Sequence, residues 1–321
     1  MKRGRTLLVA STGGHLDELA RLRPRLVPAA DDAHWVTFDD AHSRSLLAGE
    51  TVHVVDHIPP RGYLGVARTV RFAASLIRRG DYARVVSTGA AIAIPFLTAA
   101  RALGVEAHYI ESAARTERPS LTGTVVSRLP GVRLYSQYAG WPDRRWHCRG
   151  SLFDGFESSQ RSRPPVMAQR VVVTLGTMRD YGFRTAVERL ARELAEVLSP
   201  DAEVLWQVGA TDPTGLGIHG RQLVPMHELR AAMAEADLVV AHAGIGSALS
   251  ALEAGHCPVL LPRRFSRGEH VDDHQVLIAD ALSQRKLAVA RDAAEVTAAD
   301  LVTAMATSVN RDPNPRPFLL D

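Results

Sequence analysis

Two stretches of this sequence place small residues and a histidine directly after an apolar run. Ser11-Thr12-Gly13-Gly14-His15 follows Val9-Ala10, and His242-Ala243-Gly244-Ile245-Gly246-Ser247 follows Val239-Val240-Ala241. Each leads into a helical pattern, LDELARL in the first case and Ala248–Ala254 in the second. Glycine lets a backbone come close to a ligand without a Cβ in the way. The first N–H groups of a helix lack intrahelical partners and favour anions. Such turns suit a phosphate, with Ser247 as a hydroxyl donor. His15, at the mouth of the first turn, is a candidate general base because imidazole titrates near neutrality. Asp17 or Glu18 is placed to orient it. A tight turn with a histidine at the helix start is the competing reading of the same spacing.

Gly244-Ile245-Gly246 superficially resembles a dinucleotide fingerprint. Leu249 stands where the third glycine would be, however, and no acidic residue ends Val259-Leu260-Leu261, so hydride transfer is not indicated. Further glycine turns follow apolar runs at Thr88-Gly89-Ala90, Leu175-Gly176-Thr177 and Val208-Gly209-Ala210. Several such turns facing an interdomain cleft suggest a nucleotide-sugar site. No GxxxxGK[ST], HExxH or GxSxG pattern is present, which argues against P-loop NTPases, zincins and common serine hydrolases. Of the acidic pairs, Asp31-Asp32 and Asp39-Asp40 read as solvated turns; Asp272-Asp273 leaves a divalent cation open.

The elements that must position these turns alternate in type. Short β-branched runs are expected as strands at Thr6–Ala10, His34–Phe38, Val52–Val55, Arg84–Thr88, Ala107–Glu111 and Val132–Ser136. A second set covers Val171–Leu175, Val204–Val208, Gln222–Pro225, Leu238–Ala241, Pro258–Leu261 and Leu287–Ala290. Amphipathic helices lie between them; Phe183–Leu198 carries Phe183, Val187, Leu190 and Leu194 on one stripe. This is the pattern of an α/β protein with doubly wound parallel sheets. Ser158–Pro165 (SSQRSRPP) is polar and proline-rich and is expected to link two halves, 1–163 and 164–321. The tail after Asn310 is too proline-rich for a helix and is expected to pack back on the other half.

With 321 residues, 46% hydrophobic and 23% charged, the chain has the material for two folded domains. No run approaches the length of a membrane span; Ala90–Ala100 is short and broken by Pro95. The N-terminus opens into a strand without a cleavage-site pattern, so a cytoplasmic protein is expected. Cys148 and Cys257 make neither a disulfide framework nor a zinc site. The net charge is +3, almost all cations are arginine, and they are scattered, so nucleic acid is not the expected partner.

The segment 242–258 (HAGIGSALSALEAGHCP), with 269–275 (EHVDDHQ), closely resembles the donor-binding half of family 28-type glycosyltransferases of the GT-B fold. VASTGGHLDEL, VVSTGAAIAIP and YIESAARTERPSLTGTVVSRLPGVRLYSQ resemble the acceptor-binding subunit of the dolichol-linked UDP-N-acetylglucosamine transferase and its bacterial exopolysaccharide counterparts. The chain thus looks like both subunits fused, acceptor half first. A more distant similarity is to the peptidoglycan enzymes that add N-acetylglucosamine to lipid I.

The resemblance implies two Rossmann-like domains facing across a cleft and an inverting direct displacement, with no cofactor and no essential metal. His15 matches the family's base, and Glu111 falls where the acceptor is held, beside the acceptor-side turns at Gly13, Gly14 and Gly89. Gly244, Ile245, Gly246 and Ser247 would stabilise the leaving UDP, with His242 in the same loop and Thr177 donating from another. Val224 and Met226 flank the loop whose backbone reads the uracil edge. Asp273, His274 and Gln275 fall where relatives contact the donor sugar. Relatives place a ribose-binding glutamate at the position that Ser250 occupies here; Glu253, about one turn on, is expected to take over.

The partners implied are a UDP-sugar and a lipid-linked saccharide or other hydroxyl acceptor, with N-acetylglucosamine the favoured sugar. Residues 60–80 mix five arginines with apolar residues, which fits either a helix lying on the inner face of the cell membrane or a core-facing helix with a solvated arginine face. Three alternatives stay open: transfer to a soluble secondary metabolite, a nucleotide-sugar 2-epimerase of the same fold, and a non-catalytic nucleotide-binding scaffold. Arg263, Arg264 and Arg267 read as surface charge, with pairing to a uronic carboxylate the competing reading.

Overall fold

Parallel strands need crossover connections, and the alternation of short β-branched runs with amphipathic helices supplies them. The structure, a computed structural model, describes residues 4–27, 32–57, 63–178 and 180–320, with the side chains of 63–67 excepted. It divides into two compact units, 4–154 with 315–320, and 155–314.

In the first unit the chain runs β1 (Arg5–Ala10), α1 (Gly14–Leu26), β2 (Ala33–Phe38), α2 (Ala41–Leu46), β3 (Thr51–Val55), α3 (Tyr63–Gly80), β4 (Tyr82–Gly89), α4 (Ala93–Ala102), β5 (Glu106–Ile110), α5 (Leu121–Val126), β6 (Arg133–Ser136) and β7 (Trp146–Cys148). The strands form one parallel sheet in the order β3-β2-β1-β4-β5-β6-β7. Leu7, Val9, Val36, Val85, Phe96 and Tyr109 belong to one buried cluster in its core. Pro95 is tolerated because it lies in the first turn of α4. The tail returns to this unit: Phe318 is buried, and its N–H donates to the Arg25 carbonyl at 3.1 Å.

The second unit comprises β8 (Phe156–Gln160), β9 (Ala168–Thr174), α6 (Arg184–Glu193), β10 (Leu198–Gln207), β11 (Gly220–Arg221), α7 (Met226–Ala234), β12 (Leu238–His242), α8 (Ile245–Glu253), β13 (Val259–Leu261), α9 (His274–Gln284), β14 (Val289–Ala290), α10 (Ala298–Met305) and β15 (Thr307–Arg311). Its parallel sheet has the order β11-β10-β9-β12-β13-β14. Both sheets therefore reverse strand order once, between β1 and β4 in the first unit and between β9 and β12 in the second. Ligands of open α/β sheets bind beyond the carboxyl ends of the strands at such switch points. The four loops that leave these strands contain four of the five glycine turns singled out in the sequence; the fifth, at Gly209, follows β10.

Three expectations change. Residues 158–160 are not linker but part of β8, which pairs antiparallel with β15. Those strands are polar and short, so hydrophobic alternation does not announce them. The strand expected at Gln222–Pro225 is replaced by β11 just before it. Val224 is buried there, but its N–H goes to the Gln207 side-chain oxygen at 2.9 Å and not to a ladder. The helix expected through Leu198 ends early: residues 194–196 form a 3₁₀ turn and β10 begins at Leu198.

Among the described residues, no helix is long and apolar enough to cross a membrane. In α3, Ala73 and Ile77 are buried, whereas Arg68, Arg71, Phe72, Arg78 and Arg79 are exposed. Pro60 and Arg61 lie outside the described residues. Asp39 pairs with Arg44 at 2.7 Å and Asp40 caps α2, so this acidic pair organises a turn.

Candidate active site

The carboxyl end of β1 runs through Ser11-Thr12-Gly13 into α1, whose second residue is His15. Gly13 precedes the helix at φ 82°, a conformation that only glycine adopts without strain. A Cβ on either Gly13 or Gly14 would meet nothing within 4 Å, so there is room above this helix start. At the other switch strand, Gly89 has φ 111°, and a Cβ there would lie 3.1 Å from Nδ1 and Cε1 of His15 and 3.5 Å from the Tyr109 hydroxyl. The His15 ring can occupy this place only because residue 89 is glycine.

His15 is half-buried, and its Nδ1 is buried without a hydrogen-bond partner. Burial lowers its pKa, partly offset by the nearby charge of Glu111. The ring is thus biased towards the neutral form that a general base requires. Its expected orienters act elsewhere. Asp17 Oδ1 lies 3.3 Å from His42 Nε2 and 3.5 Å from Arg21, while Glu18 turns into the interior.

Glu18 is 4% exposed and faces three donors: Ser112 Oγ at 2.7 Å, the Ala113 N–H at 3.0 Å and Gln137 Nε2 at 3.3 Å. Burial pushes its pKa up to about 7, against the lowering effect of the Ser112 and Ala113 hydrogen bonds. Between about pH 4.5 and pH 7 the native state therefore holds a proton that the unfolded chain has lost, so stability falls as pH rises through this window. The cost is about 3 kcal/mol at the top of the window. Glu18→Gln, which keeps the shape and never ionises, is expected to remove this slope. Urea unfolding of the first unit at pH 5 and pH 8, in wild type and variant, measures the difference.

Glu111 is fully buried. Its carboxylate accepts from Ser112 N at 3.1 Å, Ser120 N at 2.9 Å, Ser120 Oγ at 3.0 Å and Tyr109 OH at 3.3 Å. A Cβ on Gly123 would overlap it. So saturated, Glu111 braces the loop between β5 and α5 and does not present an open carboxylate to an acceptor.

The second unit repeats the device with the strands exchanged. His242 ends β12, and its ring lies over Gly176 in the loop after β9: a Cβ at Gly176, which has φ 87°, would sit 3.0 Å from Nε2 and Cε1. A Cβ at Gly244 would overlap Nε2 of the same ring. Burial, then the charge of Arg263, lowers the His242 pKa to about 4, so the ring is neutral at physiological pH. Nδ1 lies 3.4 Å from the Thr174 carbonyl and 3.5 Å from Ser247 Oγ. A carbonyl only accepts, so Nδ1 carries the proton and Ser247 retains its own O–H for donation.

Gly244 caps α8, and the first backbone bond of the helix runs from Ala248 N to Gly244 O at 3.0 Å. The N–H groups of Ile245, Gly246 and Ser247 consequently have no helical acceptor. Gly246 is exposed, and a Cβ there would meet nothing within 4 Å. The start of α8 is therefore open to solvent. Thr177 is exposed beyond Gly176 on the neighbouring loop.

The Arg263 side chain holds these loops in shape, a role the sequence did not disclose. It is 1% exposed and donates to the carbonyls of Leu175 at 2.7 Å, Tyr181 at 2.9 Å, Gly182 at 3.1 Å and Glu269 at 3.0 Å. Its guanidinium carbon lies 4.9 Å from the Phe183 ring centroid. Arg264 and Arg267 both bond Asp292, at 3.1 and 2.7 Å. All three arginines are therefore committed within the fold, which overturns the reading that they hold a uronic carboxylate.

Other expected contacts are redistributed. Ser250 Oγ donates to the Gly246 carbonyl at 2.9 Å, and Glu253 meets Arg311 at 3.4 Å at the far end of α8. Glu253, which was expected to take over the ribose contact, is thus engaged at the last residue of α8. The Val224 N–H is taken by Gln207, which leaves its carbonyl and the N–H of Met226, at the start of α7, as the backbone groups of that loop. Asp273 Oδ1 accepts from Phe265 N at 2.9 Å, and Gln275 Oε1 accepts from Arg263 N at 3.2 Å. His270, Asp272 and His274 offer metal-ligand atoms within 4.8 Å of one another. The trio is bonded internally, with Asp272 accepting from His274 Nδ1 and lying 3.3 Å from His270 Nδ1.

Residues 170–315 match the glycosyltransferase family 28 C-terminal domain, and they contain the open start of α8 and the loops around it. This chain carries a family 28-type glycosyltransferase domain. The glycosyltransferase is similar over 94% of its length to the UDP-N-acetylglucosamine–N-acetylmuramyl-(pentapeptide) pyrophosphoryl-undecaprenol N-acetylglucosamine transferase of Sorangium cellulosum, with 26% identity and 81% of that protein covered. The enzyme of the same description from Corynebacterium efficiens is 27% identical over 74% of the chain, which spans 66% of that relative's length. Among solved structures, Acinetobacter baumannii MurG superposes with a TM-score of 0.57 at 18% identity, covering 94% of this chain and 89% of that one. The fold of the glycosyltransferase is thus GT-B, with two Rossmann-like sheets.

Proposed function

We propose that this glycosyltransferase moves N-acetylglucosamine from its UDP donor to a hydroxyl of a polyprenyl-diphosphate-linked saccharide, with inversion at the anomeric carbon. The observation that carries the reading is the open helix start at Gly244–Ser247, set at a switch point inside a family 28 domain. The named relatives take a UDP-N-acetylglucosamine donor and a pyrophosphoryl-undecaprenol-linked acceptor, which gives the proposal its two substrates.

The donor is assigned to the second unit. Its diphosphate sits on the N–H groups of Ile245, Gly246 and Ser247, with the hydroxyls of Ser247 and Thr177 as further donors. These groups are fixed before reaction, so they stabilise charge that grows as UDP departs without reorganising. The Val224 carbonyl and the Met226 N–H read the uracil edge. The sugar hydroxyls go to the segment Asp273-His274-Gln275, where His274 is the side chain not buried or tied to a backbone amide. Ser250 is left as the ribose-side residue.

The acceptor is assigned to the first unit. His15 takes the proton of the acceptor hydroxyl, whose oxygen attacks C1 of the sugar as the bond from C1 to the UDP oxygen breaks. Attack opposite the leaving group inverts the anomeric centre. No step requires a metal, since the helix start and hydroxyls neutralise the leaving diphosphate. The lipid places the reaction at the cytoplasmic membrane face. Exposed Arg68, Arg71, Arg78 and Arg79 on α3, with Phe72 among them, supply a basic surface for anionic lipid.

A calorimetric panel of UDP, UDP-N-acetylglucosamine, other UDP-sugars, ATP and NAD tests the donor assignment. Binding of UDP and of UDP-N-acetylglucosamine, with silence from ATP and NAD, is the expected result. Silence from every uridine nucleotide would remove the donor reading and favour a scaffold role.

A further inference from the structure

In the first unit, the helix that carries His15 and the loop that carries Glu111 leave strands that are not neighbours: β4 lies between β1 and β5. One side chain joins them. We propose that Glu18 is a positioning residue that locks the loop Glu111-Ser112-Ala113 to α1, so that the base and the acceptor-side loop move as one body. The functional half of this inference rests on the reading of His15 and the acceptor given above; the structural half does not.

Glu18 lies three residues after His15 on α1, and its carboxylate is buried without a cation bonded to it. Both oxygens are used by groups outside its own helix. Oε1 accepts from Ser112 Oγ at 2.7 Å, and Oε2 accepts from Ala113 N at 3.0 Å and Gln137 Nε2 at 3.3 Å. The donors are themselves fixed. Ser112 Oγ accepts from Ala114 N at 3.2 Å, and the Ala113 carbonyl accepts from Tyr138 OH at 2.7 Å. Gln137 also donates to the Glu111 carbonyl at 3.1 Å and accepts from Leu152 N at 2.8 Å. Glu18 is thus tied to groups that are themselves hydrogen-bonded, and among the bonds just described it is the member contributed by α1.

An apolar side chain at this position would fill the space but leave the Ala113 N–H without an acceptor, and buried amides are rarely left so. Burying an unneutralised carboxylate is costly, and a hydrophobic residue would be the cheaper filler of the α1 face. The acid is explained by what it holds. Glutamine can replace it in shape: its carbonyl would serve Ala113 and Gln137, and its amide would donate to the spare lone pair of Ser112 Oγ, reversing that one bond and freeing the serine O–H while the backbone tie to Ala113 is kept. Alanine can do neither.

The test uses the full-length chain as wild type, Glu18→Ala, Glu18→Gln and Ser112→Ala. Hydrogen–deuterium exchange reads the lock without any substrate. Glu18→Ala should speed exchange across residues 111–116 by about tenfold or more, with Ser112→Ala intermediate and Glu18→Gln near wild type. Helix α8 in the second unit should not change in any variant. In transfer assays, Glu18→Ala should raise KM for the acceptor by about tenfold with KM for the donor unchanged, and Glu18→Gln should restore it. Unchanged exchange at 111–116 in Glu18→Ala overturns the lock, as does a general rise throughout the first unit that glutamine fails to rescue. If Glu18→Ala does not fold, Ser112→Ala decides by the same readouts. A wild type that transfers nothing to a lipid-linked acceptor sinks the functional reading alone, since the exchange result stands by itself.

Discussion

Replacing His15 with alanine is expected to lower glycosyl transfer by about 10²–10⁴-fold, the usual worth of a positioned general base. UDP affinity should be unchanged, because the donor seat belongs to a different unit. The expectation follows from three features of the ring. It stands at the end of β1 beside the switch point, it rests over Gly89 where no other residue would leave it space, and burial biases it towards the neutral form. The alanine variant should fold, since the ring is half-buried and the helix start it leaves is open to solvent. Steady-state transfer and calorimetry on the same preparation check both halves of the expectation. Equal turnover in the two proteins would take His15 out of the mechanism.

Gly246→Asp is the complementary experiment on the donor. A Cβ at this position meets nothing within 4 Å, so the substitution fits. A carboxylate in the first turn favours the helix by about 0.3–1 kcal/mol through the macrodipole, and loss of a helical glycine adds a similar gain. The thermal midpoint should therefore hold or rise. The ligand meets the opposite effect. Two unit charges of like sign about 6 Å apart at an effective dielectric of about 20 repel by about 3 kcal/mol. UDP affinity should fall by about 100-fold. A variant that is more stable yet blind to UDP would be hard to explain unless the diphosphate sits on α8. Unchanged calorimetric affinity would mean that it sits elsewhere.

The sequence disclosed the parts of this molecule that are local and periodic. The inner strands β1, β4, β9 and β12 are short apolar runs rich in valine and leucine, and the glycine turns after them stand out because small residues follow such runs directly. The turns could be named, but their neighbours could not. Nothing in the spacing tells that Gly89 lies under His15, or that Gly176 lies under His242, since each pair joins loops from adjacent strands distant in sequence. The polar pair β8 and β15 escaped for a related reason. Its stability comes from a partner about 150 residues away, and its residues carry no hydrophobic alternation.

Charged side chains were the least legible. A sequence shows that Glu18, Glu111 and Arg263 are ionisable, and ionisable residues are mostly exposed. Here all three are buried as braces, and only tertiary hydrogen bonds reveal it. Glu111 was expected to hold an acceptor and instead shapes its own loop. Glu253 was expected at the ribose and meets Arg311, because it is the last residue of α8 and faces the strand that returns beside that end. The best clue to such braces was chemical: an acid spaced to point into a helix's apolar face, as Glu18 is between Leu16 and Leu19, needs a buried donor.

The central claim is that the open helix start at Gly244–Ser247 holds a UDP-sugar whose sugar passes to a lipid-linked hydroxyl. It is tested most directly by incubating the full-length protein with UDP-N-acetylglucosamine and a polyprenyl-diphosphate-linked saccharide, and measuring UDP release together with the mass and anomeric configuration of the lipid product. The account predicts UDP release that depends on the acceptor, a lipid product heavier by one N-acetylhexosamine residue, and an anomeric configuration opposite to that of the donor. UDP-sugar left intact in the presence of acceptor, or a product that retains the donor configuration, would contradict it.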